Sequence, residues 1–258
     1  MKILFIGDIY GKPGRRAVRE CLPEIEADLI IANAENVHHG KGVSDAKIKE
    51  LQELGIDYFT SGNHVWKVSE IYEHMKKVDY PLIRPANYPE NIPGRGDGIV
   101  KVGDKEVLVI NLMGRVFMHA NLDDPFRKFD QILDKYSDHQ FAAIVVDFHA
   151  EASSEKWAFA HYVDGKASAV FGTHTHVPTA DERILQKGTA FQTDVGMNGP
   201  INSVIGAQKE PIIENFLTQM PVKHEVAEGP VFFNATLIDV DEKTRHAKSI
   251  ERIQKYID

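Results

Sequence analysis

The chain has 258 residues, 43% of them hydrophobic, which is enough for one large α/β core or two small ones; one domain spanning 1–258 is the simpler expectation. With 30 basic against 38 acidic residues the net charge is -8, which disfavours a groove tracking an extended nucleic acid but admits a small anion if a metal supplies positive charge. There is no run of about eighteen apolar residues and no charged leader with a cleavage site, so a cytoplasmic protein without a membrane span is expected. The one cysteine, Cys21, has no partner for an internal disulfide and reads as a small buried hydrophobe.

In chain order, Met1 to Ile9 and Asp28 to Asn36 read as buried strands, separated by an amphipathic helix from Arg16 to Ala27 through Val18, Cys21, Leu22 and Ile25. Ser44 caps a second helix that Gly55 ends, and Ile56 to Ser61 follows as a strand. This β-α-β-α-β alternation signals an α/β sheet. A hairpin turns at Gly103-Asp104 between Gly98 to Val102 and Glu106 to Leu112, and a helix from about Asp124 to Tyr136 precedes a strand from Phe141 to Phe148. Another strand runs from Ser168 to Gly172. Beyond Glu182 the pattern is mostly β, with one helix near Pro211 to Gln219 and long strands at Val231 to Val240 and His246 to Ile253.

The polar residues fall at strand ends. Asp8 ends the first strand, Glu35-Asn36 the second, Asn63-His64 the third, His149 a later one, and His174 and His176 follow the strand from Ser168 to Gly172. Taken singly, Asp8, Asn36 or Asn63 is a turn former or helix cap, and a lone histidine beside an apolar strand is a structural residue. As a set they change meaning, because loops outside the carboxyl ends of strands are where α/β sheets bind ligands. Imidazole, carboxylate and amide donors without thiolate point away from a closed structural zinc site and toward iron, manganese or zinc in a reactive one. Asp8, Glu35, Asn36, Asn63, His149, His174 and His176 exceed the needs of one ion, and a pair of ions about 3.5–4 Å apart sharing a carboxylate fits them. His38-His39, His161, His224 and His246 lack this placement and read as surface or loop residues.

The ordered segments Gly7-Asp8, Ala34-Glu35-Asn36, Gly62-Asn63-His64, Phe148-His149 and Gly172-Thr-His-Thr-His176 resemble the motif series of the calcineurin-like metallophosphoesterases. More narrowly, "GDIYGKPGRR", "NAENVHHGKG", "SGNHVW", "GTHTHVPTAD" and "TDVGMNGP" resemble the bacterial YmdB-like branch, over essentially the whole chain. The resemblance implies an α/β metallophosphoesterase-type sandwich of two central β-sheets flanked by helices. It implies two divalent or mixed-valence transition-metal ions, iron foremost, with manganese or zinc as alternatives. Carried over by position, Asp8, Asn36 and His176 hold one ion, Asn63, His149 and His174 the other, Glu35 bridges them, and His64 is free for catalysis. Tyr10 stands where the wider superfamily usually has His, Ala34-Glu35 replaces its Gly-Asp pair, and Val65 replaces an acidic residue that often follows its Gly-Asn-His motif. The first two changes match the branch; the third leaves no motif partner to orient His64.

The expected activity is phosphodiester hydrolysis of cyclic nucleotides, 2′,3′-cyclic ones foremost and 3′,5′-cyclic ones within range. Two cations would acidify a bridging water and neutralise the phosphoryl oxygens, while His64 protonates the leaving oxygen. The expected partner is thus a small nucleotide, with no membrane involved; a homo-oligomer is compatible with this reading. An amidohydrolase would carry its His-x-His pair early, and Gly7 to Gly14 misses the P-loop spacing. The remaining alternative is a metal-containing nucleotide-binding regulatory or scaffold protein with little turnover.

Overall fold

The structure, a computed structural model, describes residues 1–258. Its first strands, β1 (Lys2–Ile6) and β3 (Leu29–Asn33), pair in parallel, with Phe5 opposite Ile31. Both are apolar throughout because both faces are covered. On β1, Ile3 and Phe5 point into one core while Leu4 and Ile6 point into another.

The expected strand from Met1 to Ile9 is broken at Gly7 into β1 and a short β2 (Asp8–Ile9). A side chain at Gly7 would meet the Gly196 carbonyl 1.9 Å away, so this crossing of backbones admits only glycine. Helix α1 spans Gly11–Cys21 and so begins five residues before the expected Arg16; Pro13 lies within its first turn, where its missing N–H costs nothing. It also stops early, since Pro23 forces the chain into a single 3₁₀ turn over Leu22–Glu24. Helix α2 (Asp45–Glu53) starts after Ser44, whose hydroxyl does not cap it but meets His38 Nδ1 at 3.2 Å, and β4 (Tyr58–Thr60) pairs in parallel with β3. After the short α3 (Ile71–Met75) comes the hairpin of β5 (Asp97–Val102) and β6 (Lys105–Met113).

Helix α4 (Pro125–Lys135) is capped by Asp124, whose Oδ1 accepts from the Phe126 and Arg127 amides. Strand β7 (Ala143–His149) leads into α5 (Ser153–Val163), a helix the sequence pattern missed, because buried Glu155 and Lys156 interrupt its apolar face. The remaining elements are β8 (Ala169–Thr173), β9 (Arg183–Ile184), β10 (Ala190–Gln192), β11 (Met197–Pro200), α6 (Lys209–Thr218), β12 (Val231–Val240) and β13 (Ala247–Ile257).

Two sheets result. One has the order β2-β11-β12-β1-β3-β4 with β13 on β12, the other β5-β6-β7-β8-β10-β9. They pack face to face over a core that includes Ile3, Phe5, Val107, Val145, Phe171 and Ile238, with the Phe5 and Phe171 rings stacked at 4.7 Å. A second core lies under α1 and α2, and a third under α4 and α5. The protein is therefore a single-domain α/β sandwich of two sheets flanked by helices. Truncating Phe171 to Ala should open a void where the sheets meet and cost about 3–5 kcal/mol, read as a lower urea midpoint at unchanged slope.

Candidate metal centre

Parallel strands β1, β3, β4, β7 and β8, drawn from both sheets, end at one edge of the sandwich. Just beyond those ends lie Asp8, Glu35, Asn36, Asn63, His64, His149, His174 and His176, so the packing of the sheets gathers all of the expected residues. Asp8, Glu35, Asn36 and His149 are buried, and the others are partly so. Around the His149 Nε2 atom stand Asn63 Oδ1 at 2.9 Å, His174 Nδ1 at 3.1 Å and Glu35 Oε1 at 3.3 Å. The ligand atoms of Glu35, His149 and His174 all lie within 4.8 Å of one another. A second group forms around the Asn36 amide, whose nitrogen is 3.4 Å from Asp8 Oδ1, 3.3 Å from Glu35 Oε1 and 3.2 Å from His176 Nε2. Glu35 belongs to both groups.

The outer ring nitrogens show why these donors suit a cation. His149 Nδ1 donates to Thr173 Oγ1 at 2.9 Å, His174 Nε2 to the Glu151 carboxylate at 3.1 Å, and His176 Nδ1 to the Ile205 carbonyl at 2.9 Å. Each acceptor fixes a proton on the outer nitrogen and turns the other lone pair inward, as metal-binding imidazoles require. Thr173 in turn donates to buried Asp147 at 2.6 Å, which also accepts from Asn33 and Thr60. Burial pushes the Asp147 carboxyl up to about 7. His174 and His176 adopt left-handed backbone conformations, φ 98° and 68°, so the chain between them is a loop and their rings join different groups.

The electrostatics also call for positive charge. Burial alone would lower His149, yet Glu35, Asp8 and Asp147 push it up to about 9. Burial, reinforced by His149, drives His174 down to about 3. Burial would raise Glu35, but His149 and His64 hold it well below the usual carboxylate range, whereas burial keeps Asp8 above it. A proton on His149 is the minimum response to two buried carboxylates; a cation among the inward lone pairs answers the same demand more fully. Gly62 is required for this closeness, since a Cβ there would lie 2.3 Å from the His149 ring and 2.4 Å from Glu35 Oε2.

The missing partner of His64 is found in the second-strand motif. Its Nδ1 lies 2.8 Å from Asn36 Oδ1 and 3.2 Å from Glu35 Oε1, and its backbone N–H donates to Glu35 Oε2 at 2.9 Å. Nε2 is left without a protein partner. Asn36 thus presents its nitrogen to Asp8 and Glu35 and its oxygen to His64. A half-turn of the amide exchanges the two, offering oxygen to a cation and N–H to His64 Nδ1.

The profile of the family described as YmdB-like protein matches residues 4–253. The chain belongs to this family. It is 48% identical over 257 residues, 98% of this chain and 96% of the other, to the 2′,3′-cyclic-nucleotide 2′-phosphodiesterase of Bacillus subtilis (strain 168). Its fold matches the crystal structure of a hypothetical protein from Thermus thermophilus with TM-score 0.94 and 43% identity over the whole of both chains. It also matches a novel phosphatase from Mycoplasma pneumoniae with TM-score 0.92 and 36% identity, covering 100% of this chain and 94% of that one.

In this YmdB-like chain the site depends on two residues that motif reading did not single out. Lys156 on α5, fully buried, donates to Asp194 Oδ2 at 2.7 Å and to the Thr173 carbonyl at 2.8 Å. Asp194 also accepts from the Thr175 amide and hydroxyl and from the Gly196 amide, so this pair clamps the loop bearing His174 and His176. The signal was present in "TDVGMNGP" and in a lysine amid apolar helix residues, but pairing across 38 positions leaves no local trace. Lys156→Met should cost about 3–5 kcal/mol in denaturant unfolding by stranding a buried carboxylate. Lys156→Met with Asp194→Leu should recover part of that stability while metal content stays low, because the loop has lost its clamp.

Proposed function

We propose that residues 1–258 act as one calcineurin-like metallophosphoesterase domain, a metal-dependent phosphodiesterase that opens 2′,3′-cyclic nucleotides to nucleoside 3′-monophosphates. The observation that carries this reading is the inward convergence of imidazole, carboxylate and amide donors on two groups joined by Glu35. It is supported by the name of the Bacillus subtilis relative, similar over nearly the whole chain. In this reading Asn63, His149 and His174 would hold one divalent ion, Asp8, Asn36 and His176 the other, and Glu35 would serve both. Oxygen and imidazole donors without thiolate suit iron, manganese or zinc, and the family resemblance puts iron first. When bound, the pair would acidify water and neutralise phosphoryl oxygens.

The chain's own residues supply the rest. Buried walls at Asp8, Glu35 and His149 exclude bulk water and strengthen every charge interaction inside. Nδ1 of His64 is held by Asn36 and Glu35, so Nε2 is the nitrogen that hands a proton to the departing O2′. In a 2′,3′-cyclic phosphate both ester oxygens sit on one ribose, so the leaving oxygen stays tethered within reach of that acid. No helix is long and apolar enough to cross a membrane. The reading places the enzyme in the cytoplasm, in keeping with the free, buried thiol of Cys21.

The test is kcat/KM of the metal-reconstituted protein across 2′,3′-cyclic nucleotides, 3′,5′-cyclic nucleotides, nucleoside monophosphates and an aryl diester. The 2′,3′-cyclic compounds should lead; monoesters cleaved far better than any diester would make it a phosphatase, and binding without turnover would make it a regulatory protein. Elemental analysis should find close to two ions per chain, with Glu35→Gln losing more metal than Asp8→Asn because it serves both groups. His64→Ala should keep the metal but lower turnover about 10²–10⁴-fold for alkoxide leaving groups, and far less for the aryl ester. Loss of metal from that variant would make His64 a ligand.

A further inference from the structure

A cavity of about 470 Å³ opens against Trp66, two residues after His64, with a volume in the range usual for small-molecule sites. Its walls include Trp66, Tyr72, Tyr88, Ile92, Pro93 and Asn121, and no charged side chain lines it. Two larger cavities are rich in charge, the one beside α1 in Lys12, Arg15, Arg16 and Arg19. An uncharged, aromatic-walled cavity next to a phosphoester site is unsuited to a second phosphate and suited to a flat heterocycle.

Its position relative to the chemistry is fixed by short covalent and hydrogen-bonded links. Trp66 sits in the single 3₁₀ turn Val65–Lys67 that His64 opens, and the His64 amide is itself bonded to Glu35. The Trp66 ring is braced edge-on by Tyr72 at 5.5 Å and Tyr88 at 6.0 Å, and the Tyr72 hydroxyl donates to the Trp66 carbonyl at 2.7 Å. On the facing side, Asn87 ties the loop bearing Tyr88 to both ends of the loop bearing Asn121. Its Nδ2 donates to the Met113 and Asp123 carbonyls, and its Oδ1 accepts from the Met113 amide. After burial, the Glu35 carboxylate is the next cause raising the Tyr88 hydroxyl, so Tyr88 feels both the cavity and the metal centre. Trp66, Tyr72, Tyr88, Ile92 and Pro93 are half-buried, Asn121 is exposed at the rim, and the aromatic walls are held before any ligand arrives.

We propose that this cavity holds the nucleobase of the cyclic nucleotide, stacked against the Trp66 ring between Tyr72 and Tyr88. The inference rests on the phosphodiesterase reading and adds a subsite to it. With the cyclic phosphate at the metal centre and the ribose 2′ and 3′ oxygens consumed by the ring, the base on C1′ is the one planar, largely apolar part of the substrate left to place. Stacking accepts any base because each has a π-face, and Asn121 is the sole amide among the wall residues available to read an edge. Base selectivity is therefore weak, while the requirement for a base is firm.

The decisive comparison uses adenosine 2′,3′-cyclic phosphate against a methyl riboside 2′,3′-cyclic phosphate, which keeps the reacting group and lacks the base, on the reconstituted enzyme. Whatever a variant does to the catalytic machinery it does to both substrates, so their ratio isolates the base. Trp66→Leu should lower the nucleotide-over-riboside ratio of kcat/KM roughly 5- to 150-fold, mostly through KM, and Trp66→Phe should restore most of it. A ratio unchanged by Trp66→Leu, or a wild type indifferent to the base, overturns the subsite. A wild type that hydrolyses neither compound overturns the phosphodiesterase reading instead, and a binding readout then decides the cavity. Trp157→Phe leaves Trp66 as the only tryptophan of the two, and adenosine 3′-monophosphate should quench its fluorescence saturably. No quenching in that variant refutes the stacking.

Discussion

Two carboxylates that water does not reach, Asp8 and Glu35, set the terms for the rest of this molecule. Removing an ionised carboxylate from water is costly unless opposite charge or donors replace the solvent. Here the replacement comes from every side: the His64 amide on Glu35, the His174 amide on Asp8, the Asn36 amide between them, and a His149 ring pushed up to about 9. Even so, the inner lone pairs of His174 and His176 point at the same space as the carboxylate oxygens. Such a crowd of acceptors is stable only around positive charge, which is why the site reads as metal-binding before any comparison is made.

Holding that crowd in place is a structural task, and the sandwich performs it by bringing strand ends from both sheets to one rim. The inter-sheet core around Phe5 and Phe171 fixes the spacing of the sheets, and hence of Asp8 and Glu35 from His149 and His174. Around the inner donors a polar layer passes the constraint outward through Thr173 to Asp147, and from Asp147 to Asn33 and Thr60. Lys156 and Asp194 then hold the loop where two histidines adopt left-handed backbone. That strain persists only because neighbouring hydrogen bonds over-determine it.

Legibility in the sequence followed the range of the interaction. Donors at strand ends were visible because a strand's apolar run and the polar residue that stops it are adjacent, and five such junctions recur in order. The two-sheet sandwich came from resemblance rather than periodicity, which alone gave an α/β alternation. Helix α5 escaped because Glu155 and Lys156 face inward, Glu155 to the Arg115 and Val116 amides and Lys156 to Asp194. Those are tertiary demands on a helix face, and no local rule encodes them. The start of α1 was misplaced because polar Gly11 to Arg15 hide a helical turn, although Arg15 is buried against the Val37 carbonyl and Glu50. Likewise the orienting partner of His64 lies 28 positions upstream, at Asn36, and only the fold brings them within 2.8 Å.

Asn36 joins the metal-donor group to His64. One end of its amide faces Asp8, Glu35 and His176, and the other faces His64 Nδ1, so the amide cannot turn toward a cation without changing what it offers the histidine. With oxygen toward His64, the ring carries its proton on Nδ1; with nitrogen toward it, Nδ1 must accept and the proton moves to Nε2, the atom left without a protein partner. Filling the metal centre would thereby change the hydrogen bond offered to His64 Nδ1 through one side chain.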